Sequence, residues 1–183
     1  MTKVFIGGSR RIAKLNPAIK GRADSIIQNN YLVLIGDANG ADKSMQTYLA
    51  GKNYRNVLVF CAGNRCRNNV GSWETRHIKP ERETKDFSFY AAKDLEMAKE
   101  ADYGFMIWDA ESKGTLHNML SLLRNQKKVL VYFSPEKIFF TLKGVDDLLP
   151  ILTKCDQKVV KLFESEIKAS KGVTEKQQAL NLG

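Results

Sequence analysis

The chain has 183 residues, 43% of them hydrophobic and 27% charged, and its formal net charge is +9 at pH 7. This length suits one domain with a sizeable core, and the composition is that of an ordinary globular protein. No apolar run approaches the roughly 18 residues that a membrane span needs. The N-terminus enters a strand pattern without the apolar segment of a signal peptide, so we expect a cytoplasmic protein.

Elements of two kinds alternate along the chain. We predict strands over 3–6, 31–35, 56–61, 103–108 and 128–133, and helices over 17–30, 41–51, 89–101 and 115–125. Strand–helix alternation implies a parallel sheet with helices on both faces. The prediction is therefore an α/β, Rossmann-like domain with a mostly parallel sheet. Residues 138–142 add a possible edge strand, and 145–152 fit a short helix.

We divide the chain into a domain over 1–153 and a C-terminal helix and tail over 154–183. Residues 62–87 are polar and Arg-rich, without a clear period. A connection this long is usually functional or disordered. One interpretation is a lid over a bound anion, with Trp73 stacking on a base, and the other is a disordered excursion.

The cysteines are Cys61, Cys66 and Cys155. An odd number without framework spacing argues against a disulfide scaffold, so we expect reduced thiols. The pair Cys61-x4-Cys66 lacks a second Cys or His pair, and His77 is the one candidate within reach in sequence. We therefore predict no metal site, and nothing in the sequence implies a cofactor.

Glycine-rich segments follow the predicted strands, at the edge where ligands bind in such sheets. After the first strand come Gly7, Gly8, Ser9 and Arg10. Glycines allow a sharp turn and close backbone approach to a ligand, free N–H groups suit an anion, and an arginine can bind phosphate bidentately. The same segment can also be a simple turn.

The second strand is followed by Gly36, Asp37, Asn39, Gly40 and Asp42. Asp42 can cap the following helix, but a simple cap does not need the preceding glycines. We favour a phosphate or ribose loop, in which the two aspartates hold the loop or contact ribose hydroxyls.

A third segment links a strand to a helix and contains Glu111, Ser112, Lys113, Gly114 and Thr115. Its helix-start N–H groups face outward, where an anion can bind. On the helix after the long polar segment, Lys93, Asp94 and Glu96 can reach the cleft, although a charged helix is more often a solvated face.

These three segments resemble the motif blocks of the SLOG superfamily, closest to its YspA/YpsA-like branch. That branch reads G-S-R, then G-x-A-x-G-A-D, then a helix with Arg-Asn, then S-x-G-T, and the resemblance covers roughly residues 3–133. It implies a Rossmann-like domain that binds nucleotides or nucleotide-derived ligands. The superfamily includes the LOG-type phosphoribohydrolases and the Rossmann domain of DNA-processing protein A, and the resemblance implies a homo-oligomer.

The sequence departs from the LOG-type pattern at its catalytic glutamate, where Asn118 stands. Lys93 and Asp94 replace the Arg and Asn of the helix motif. Asparagine cannot act as a carboxylate base, so an enzyme needs another carboxylate, and the candidates are Asp94, Glu96 and Glu111. His77 and His117 have no evident catalytic partner in sequence.

Three functions follow, and whether the chain is an enzyme stays open. The leading hypothesis is a module that binds a nucleotide-like phosphate ligand, with a sensor as one form of such a module. The second is an N-glycosidase that acts on nucleoside 5'-monophosphates. The third is a single-stranded nucleic-acid binder, which the excess of basic residues over 1–60 favours.

Overall fold

A seven-stranded sheet forms the centre of the computed structural model, which describes residues 1–79 and 87–180, with side chains up to 168. Its strands are β1 (Lys3–Gly8), β2 (Leu32–Gly36), β3 (Val57–Ala62), β4 (Glu74–Ile78), β5 (Tyr103–Trp108), β6 (Lys128–Phe133) and β7 (Ile138–Leu142). They lie in the order β4-β3-β2-β1-β5-β6-β7. All neighbouring strands are parallel except β6 and β7, which are antiparallel.

Helices cover both faces of this sheet. They are α1 (Pro17–Gln28), α2 (Ala41–Gly51), α3 (Phe87–Glu100), α4 (Lys113–Arg124), α5 (Leu149–Leu152) and α6 (Gln157–Leu180). Buried residues of α1 and α2 form a core on one face, and those of α3 to α6 form a second core on the other. The predicted α/β, Rossmann-like fold with a mostly parallel sheet is confirmed.

The central strands are apolar throughout because both of their faces are covered. In β2, Val33 and Ile35 belong to the core under α1 and α2, while Leu34 between them belongs to the opposite core. The helices begin as local signals predict. Pro17 is the first residue of α1, and the side chain of Asn16 accepts a hydrogen bond from the Ile19 N–H.

The prediction of a long irregular excursion over 62–87 is wrong for its middle part. Residues Glu74–Ile78 form the edge strand β4, parallel to β3. Trp73 is buried, and its indole N–H donates to the Tyr54 carbonyl at 2.9 Å, so it does not stack on a ligand base. The strand was not predicted because its side chains are mostly polar. β4 lies at the sheet edge, where such side chains reach solvent. The remainder, 80–86, lies outside the described residues.

The expectation of reduced thiols at Cys61 and Cys66 is also corrected, because the structure joins these two residues in a disulfide. The turn after β3 passes through Gly63 at φ +73°, and the Gly63 N–H donates to the Ile78 carbonyl. This turn brings the two Cα atoms within 5.1 Å, inside the range for a disulfide. Cys155 has a free thiol.

The C-terminal part of the chain packs onto the second core. The predicted edge strand is β7, and a 3-10 turn over Val145–Leu148 leads into α5. Val159 and Phe163 on α6 are buried against the body, as the helical pattern predicts. The backbone of α6 continues to Leu180 and so covers most of the predicted tail. No helix in the described part is long and apolar enough to cross a membrane.

Candidate functional site

A cleft of about 590 Å³ opens at the carboxyl ends of the strands, where the chain passes from one side of β1 to the other. Its wall comes from the ends of β1 and β5, the segment between β2 and α2, and the first turns of α3 and α4. Such a crevice beside the strand-order reversal is the usual ligand site in open α/β sheets. The predicted ligand residues that line it are Gly7, Gly8, Arg10, Asp42, Lys93, Ser112, Lys113, Gly114 and Thr115.

The other predicted ligand residues lie behind this wall. They are Ser9, Gly36, Asp37, Asn39 and Gly40, none of which is part of the cleft lining. Their contacts hold the loops of the cleft together, which for Asp37 is one of the two predicted roles.

Ser9 joins the loop after β1 to the loop after β5. It is fully buried, and its backbone N–H donates to the Ile107 carbonyl at 2.9 Å. Its hydroxyl donates to Asp109 Oδ1 at 2.8 Å and accepts the Asp109 N–H at 3.1 Å. With every polar group of Ser9 engaged, the two loops behave as one unit.

Two glycines allow the start of α2 to pack against the loop after β1. A side chain on Gly8 would place its Cβ 2.5 Å from the Ile107 carbonyl oxygen and 2.8 Å from the Ala41 Cβ. Gly40 has φ +81°, and a Cβ there would lie 2.2 Å from the Arg10 carbonyl oxygen. At both positions a larger residue would therefore collide with the neighbouring segment.

The first turn of α4 faces the cleft with unused donors. Ser112 is the N-cap, and its hydroxyl accepts the Thr115 N–H. Asp109 Oδ1 accepts the N–H groups of Glu111 at 3.0 Å and Ser112 at 2.8 Å. The N–H groups of Lys113 and Gly114 have no carbonyl within reach in their own helix. Together with the helix dipole they favour an anion at this point.

The Asp37 carboxylate pairs with Arg67, which lies 30 residues later in the chain. Arg67 donates to its carboxylate from the backbone N–H at 3.0 Å, from Nε at 3.2 Å and from Nη2 at 2.5 Å. Burial alone would raise the pKa of Asp37, but these hydrogen bonds and the charge of Arg67 outweigh it and lower the pKa. Asn39 likewise accepts from the Asn68 side chain at 3.0 Å. Both residues hold the segment after β3.

A buried lysine lies at the floor of the cleft. Lys93 is 3% exposed and contacts the Asp94 carboxylate, and it also lies close to Asp42. Gly36 makes room for this group, because a Cβ there would lie 2.7 Å from Lys93 Nζ and 2.6 Å from Asp42 Oδ2.

Burial determines the direction of the pKa shift of Asp42 but not that of the neighbouring Lys93. Desolvation raises the pKa of Asp42 to about 7, and the nearby positive charge of Lys93 only partly offsets it. Desolvation lowers the pKa of Lys93, but the charges of Asp94 and Asp42 outweigh it and raise that pKa. At the floor, Lys93 is therefore charged at neutral pH and lies beside the Asp42 carboxyl, whose pKa is about 7.

Aromatic rings and cations form the rim. The Tyr90 ring lies between the guanidinium groups of Arg10 and Arg67, at 5.7 and 4.5 Å from its centroid. Lys113 Nζ lies 4.8 Å from the centroid of the Phe87 ring. The two aromatic residues were not among the predicted site residues, although Tyr90 lies one turn before Lys93 on the same helix. Arg67 belongs to the Arg-rich segment 62–87, for which a lid over a bound anion was one interpretation, and it lines the cleft.

Asn118 is a further cleft residue with an unusual feature. It lines the cleft beside Gly7 and is 8% exposed. Its Oδ1 is buried and accepts no hydrogen bond from any residue that the structure describes. An unmet buried acceptor is costly, so it points to a missing donor.

The three predicted catalytic carboxylates occupy different surroundings. Asp94 lines the cleft beside Lys93, and Glu111 lines its outer rim, where it pairs with Arg11 in solvent. Glu96 lies outside the cleft and pairs with Lys99 on the helix surface.

Comparison with known proteins finds a similarity in structure but none in sequence. No family model matches the chain, and no curated protein sequence matches it. The structure is similar to DNA processing protein A from Helicobacter pylori, whose structure was described for its single-stranded DNA binding mode. The match covers 92% of this chain and 81% of that one, with a TM-score of 0.58 and 14% identity. At this identity the similarity concerns the fold alone.

Proposed function

We propose that the cleft binds a phosphate-bearing, nucleotide-like ligand, in a domain of SLOG type. The observation that carries this proposal is the first turn of α4, which presents two backbone N–H groups to a cleft whose rim holds Arg10 and Lys113. A helix N-terminus flanked by cations is a ready-made phosphate site. The cleft volume of about 590 Å³ lies within the range of small-ligand sites.

The rest of the cleft favours an organic group attached to that phosphate. Phe87 and Tyr90 supply aromatic surface on the α3 side. The free Oδ1 of Asn118 suits an N–H or O–H donor on the ligand, such as a base edge or a sugar hydroxyl. An inorganic anion would leave both features unused.

The first test is a thermal-shift screen against nucleotides, cyclic nucleotides, ADP-ribose and NAD, followed by chromatography of each mixture. A ligand at 100 times its dissociation constant stabilises the native state by about 2.7 kcal/mol. Arg10→Ala should reduce the shift strongly. Arg55→Ala is the matched control, because Arg55 is an equally charged, exposed side chain at the opposite end of the strands. Equal losses in both variants would reject the proposed phosphate site.

Chromatography separates a binding module from an enzyme. A ligand recovered intact supports binding, and with it a sensor role. Release of free base supports the N-glycosidase alternative. Of its three candidate carboxylates, Asp94 is the one beside Lys93 at the cleft floor. In that case Asp94→Asn should abolish base release, while Glu96→Gln should keep it because Glu96 lies outside the cleft. Light scattering on the same preparation tests the proposed homo-oligomer.

Single-stranded DNA is the second candidate ligand. The observations in its favour are the fold similarity to DNA processing protein A and the net charge of +9. A strand that contacts several phosphates releases counterions, so log K should fall with log salt by about 0.7 for each phosphate contacted. Fluorescence anisotropy with an oligothymidylate over a salt series measures this slope. A steep slope without any nucleotide-induced thermal shift would favour DNA over the small ligand.

A further inference from the structure

A cluster of metal-ligating side chains lies on the far side of β3, away from the cleft lining. Cys61, Cys66 and His77 each offer one ligand atom, and these three atoms lie within 4.8 Å of one another. Cys61 and His77 are paired residues on the parallel strands β3 and β4, so their side chains project from the same face of the sheet. The turn through Gly63 brings Cys66 to the same place.

The histidine is oriented as a metal ligand would be. His77 Nδ1 lies 2.8 Å from the Gly63 carbonyl oxygen, which can only accept a hydrogen bond. A proton on Nδ1 leaves the lone pair of Nε2 available, and its neighbour is the Thr75 hydroxyl at 3.3 Å, which is free to rotate. A backbone carbonyl that fixes the ring in this way is the usual outer-shell partner of metal-bound histidines.

We propose that the reduced form of the protein binds one zinc ion through Cys61, Cys66 and His77, with water as the fourth ligand. Two thiolates and an imidazole form a borderline-soft donor set that suits Zn²⁺. A tetrahedral site needs ligand atoms roughly 3.3 to 3.8 Å apart, given bonds of about 2.0 to 2.3 Å. The three ligand atoms already lie within 4.8 Å of one another, and reduction of the disulfide frees the two sulfurs to separate to this spacing.

The disulfide and the metal site are alternative states of the same two sulfurs. A dithiol reductant transfers two electrons and two protons to the Cys61–Cys66 bond, which yields two thiols and leaves the reductant as its own disulfide. Zinc then displaces both thiol protons into solvent. In either state the cross-link holds Cys66 in place. The next residue, Arg67, donates its backbone N–H to Asp37 behind the cleft.

Metal analysis of the full chain tests the proposal. The protein is reduced with a phosphine, desalted without oxygen, loaded with Zn²⁺ or Co²⁺ and desalted again. We expect one metal ion per chain and thiolate-to-cobalt absorption, and no binding after reoxidation to the disulfide. Cys155→Ser is the matched control, since Cys155 is the free thiol elsewhere in the fold, and it should bind metal like the wild type.

Two variants remove ligands singly. Cys66→Ser and His77→Gln should each weaken binding by more than about tenfold, since even outer-shell changes cost 10- to 100-fold. His77 is exposed, so we expect His77→Gln to fold even if Cys66→Ser does not. Circular dichroism of the metal-free proteins checks both variants. The proposal is overturned if the reduced wild type retains no metal, or if His77→Gln binds as tightly as the wild type.

Discussion

The two ends of the sheet carry cavities of similar size and different chemistry. The cleft at the carboxyl ends has a volume of about 590 Å³, and a cavity at the amino ends, lined in part by Arg22, Tyr31, Tyr103 and Lys128, has about 560 Å³. The chain direction decides the difference. Helices begin at the carboxyl ends and present N–H groups, whereas α1 and α4 end near the amino-end cavity and present carbonyl oxygens. The helix termini therefore favour an anion at the first end and disfavour one at the second.

The turns at the two ends are also built differently. At the amino ends, Asn30, Asn53 and Gln126 follow helices at φ 53°, 54° and 58°, a left-handed conformation that is tolerated locally. At the carboxyl ends, Gly40 is required because its loop lies against the backbone of Arg10. The Gly40 turn at the cleft thus depends on its contact with a distant segment, whereas the three turns at the opposite end adopt positive φ without glycine.

The largest expected effect tests this contrast on a single helix. Gly40→Ala, at the start of α2, should destabilise the fold by more than about 4 kcal/mol, because its φ is positive and the added Cβ meets a carbonyl oxygen. Gly51→Ala, at the other end of α2, meets no atom within 4 Å and should stabilise by up to about 1 kcal/mol. Urea denaturation measures both. Similar costs at both ends would contradict the contrast.

The next effect concerns two arginines of equal exposure. Arg67→Ala leaves the buried Asp37 carboxylate without its partner and should cost about 3 kcal/mol at pH 7. Arg124→Ala removes an exposed hydrogen bond to the Glu166 carbonyl at 2.9 Å and a 4.0 Å ion pair with its carboxylate, and should cost about 1 kcal/mol. Because the pKa of Asp37 is lowered in the fold, its contribution exists above the unfolded pKa and disappears as pH falls below about 4. A cost for Arg67→Ala that does not change with pH would exclude the Asp37 pairing as its cause.

Asp42 should show the opposite pH dependence. Its pKa of about 7 lies above the unfolded value, so the folded state holds the proton longer, and stability falls as pH rises from about 4 to about 7. Asp42→Asn cannot ionise, so its stability relative to the wild type should rise by at most about 4 kcal/mol across that window, with a constant difference above it. Denaturation of both proteins at pH 4, 6 and 8 checks this. A difference independent of pH would show that Asp42 is not a buried titrating group.

The smallest effect concerns ligand affinity rather than stability. Lys113→Ala should weaken binding of a nucleotide found in the screen by about tenfold, the value of one charged hydrogen bond. Lys128→Ala removes the same charge from the amino-end cavity and should leave the affinity unchanged. Calorimetric titration measures both. If Lys128→Ala weakened binding as much, long-range charge rather than the α4 terminus would explain the affinity.

Much of the fold could be predicted from the sequence because its signals are local. The apolar runs of β2 and β5 and the alternation of strands with helices indicate a parallel sheet whichever tertiary contacts follow. The edge strand β4 escaped prediction, since polar residues such as Glu74 and Arg76 reach solvent from an edge and leave no period. The disulfide escaped because a five-residue spacing does not reveal the turn at Gly63.

The candidate site was predictable as a place and less so as a set of contacts. The glycine segments and Ser112–Thr115 indicated the carboxyl end of the sheet, where chain direction puts helix N-termini. The partners of the buried charges depended on residues distant in sequence. Asp37 meets Arg67, Gly36 accommodates Lys93, and Cys61 meets His77 across two strands. By itself the sequence determined the layers, the chain direction and the end of the sheet that suits an anion, because these follow from burial period and backbone polarity. Only the tertiary structure decided which polar residues face the cleft and which hold its walls, because that choice depends on packing between segments that the chain does not place side by side.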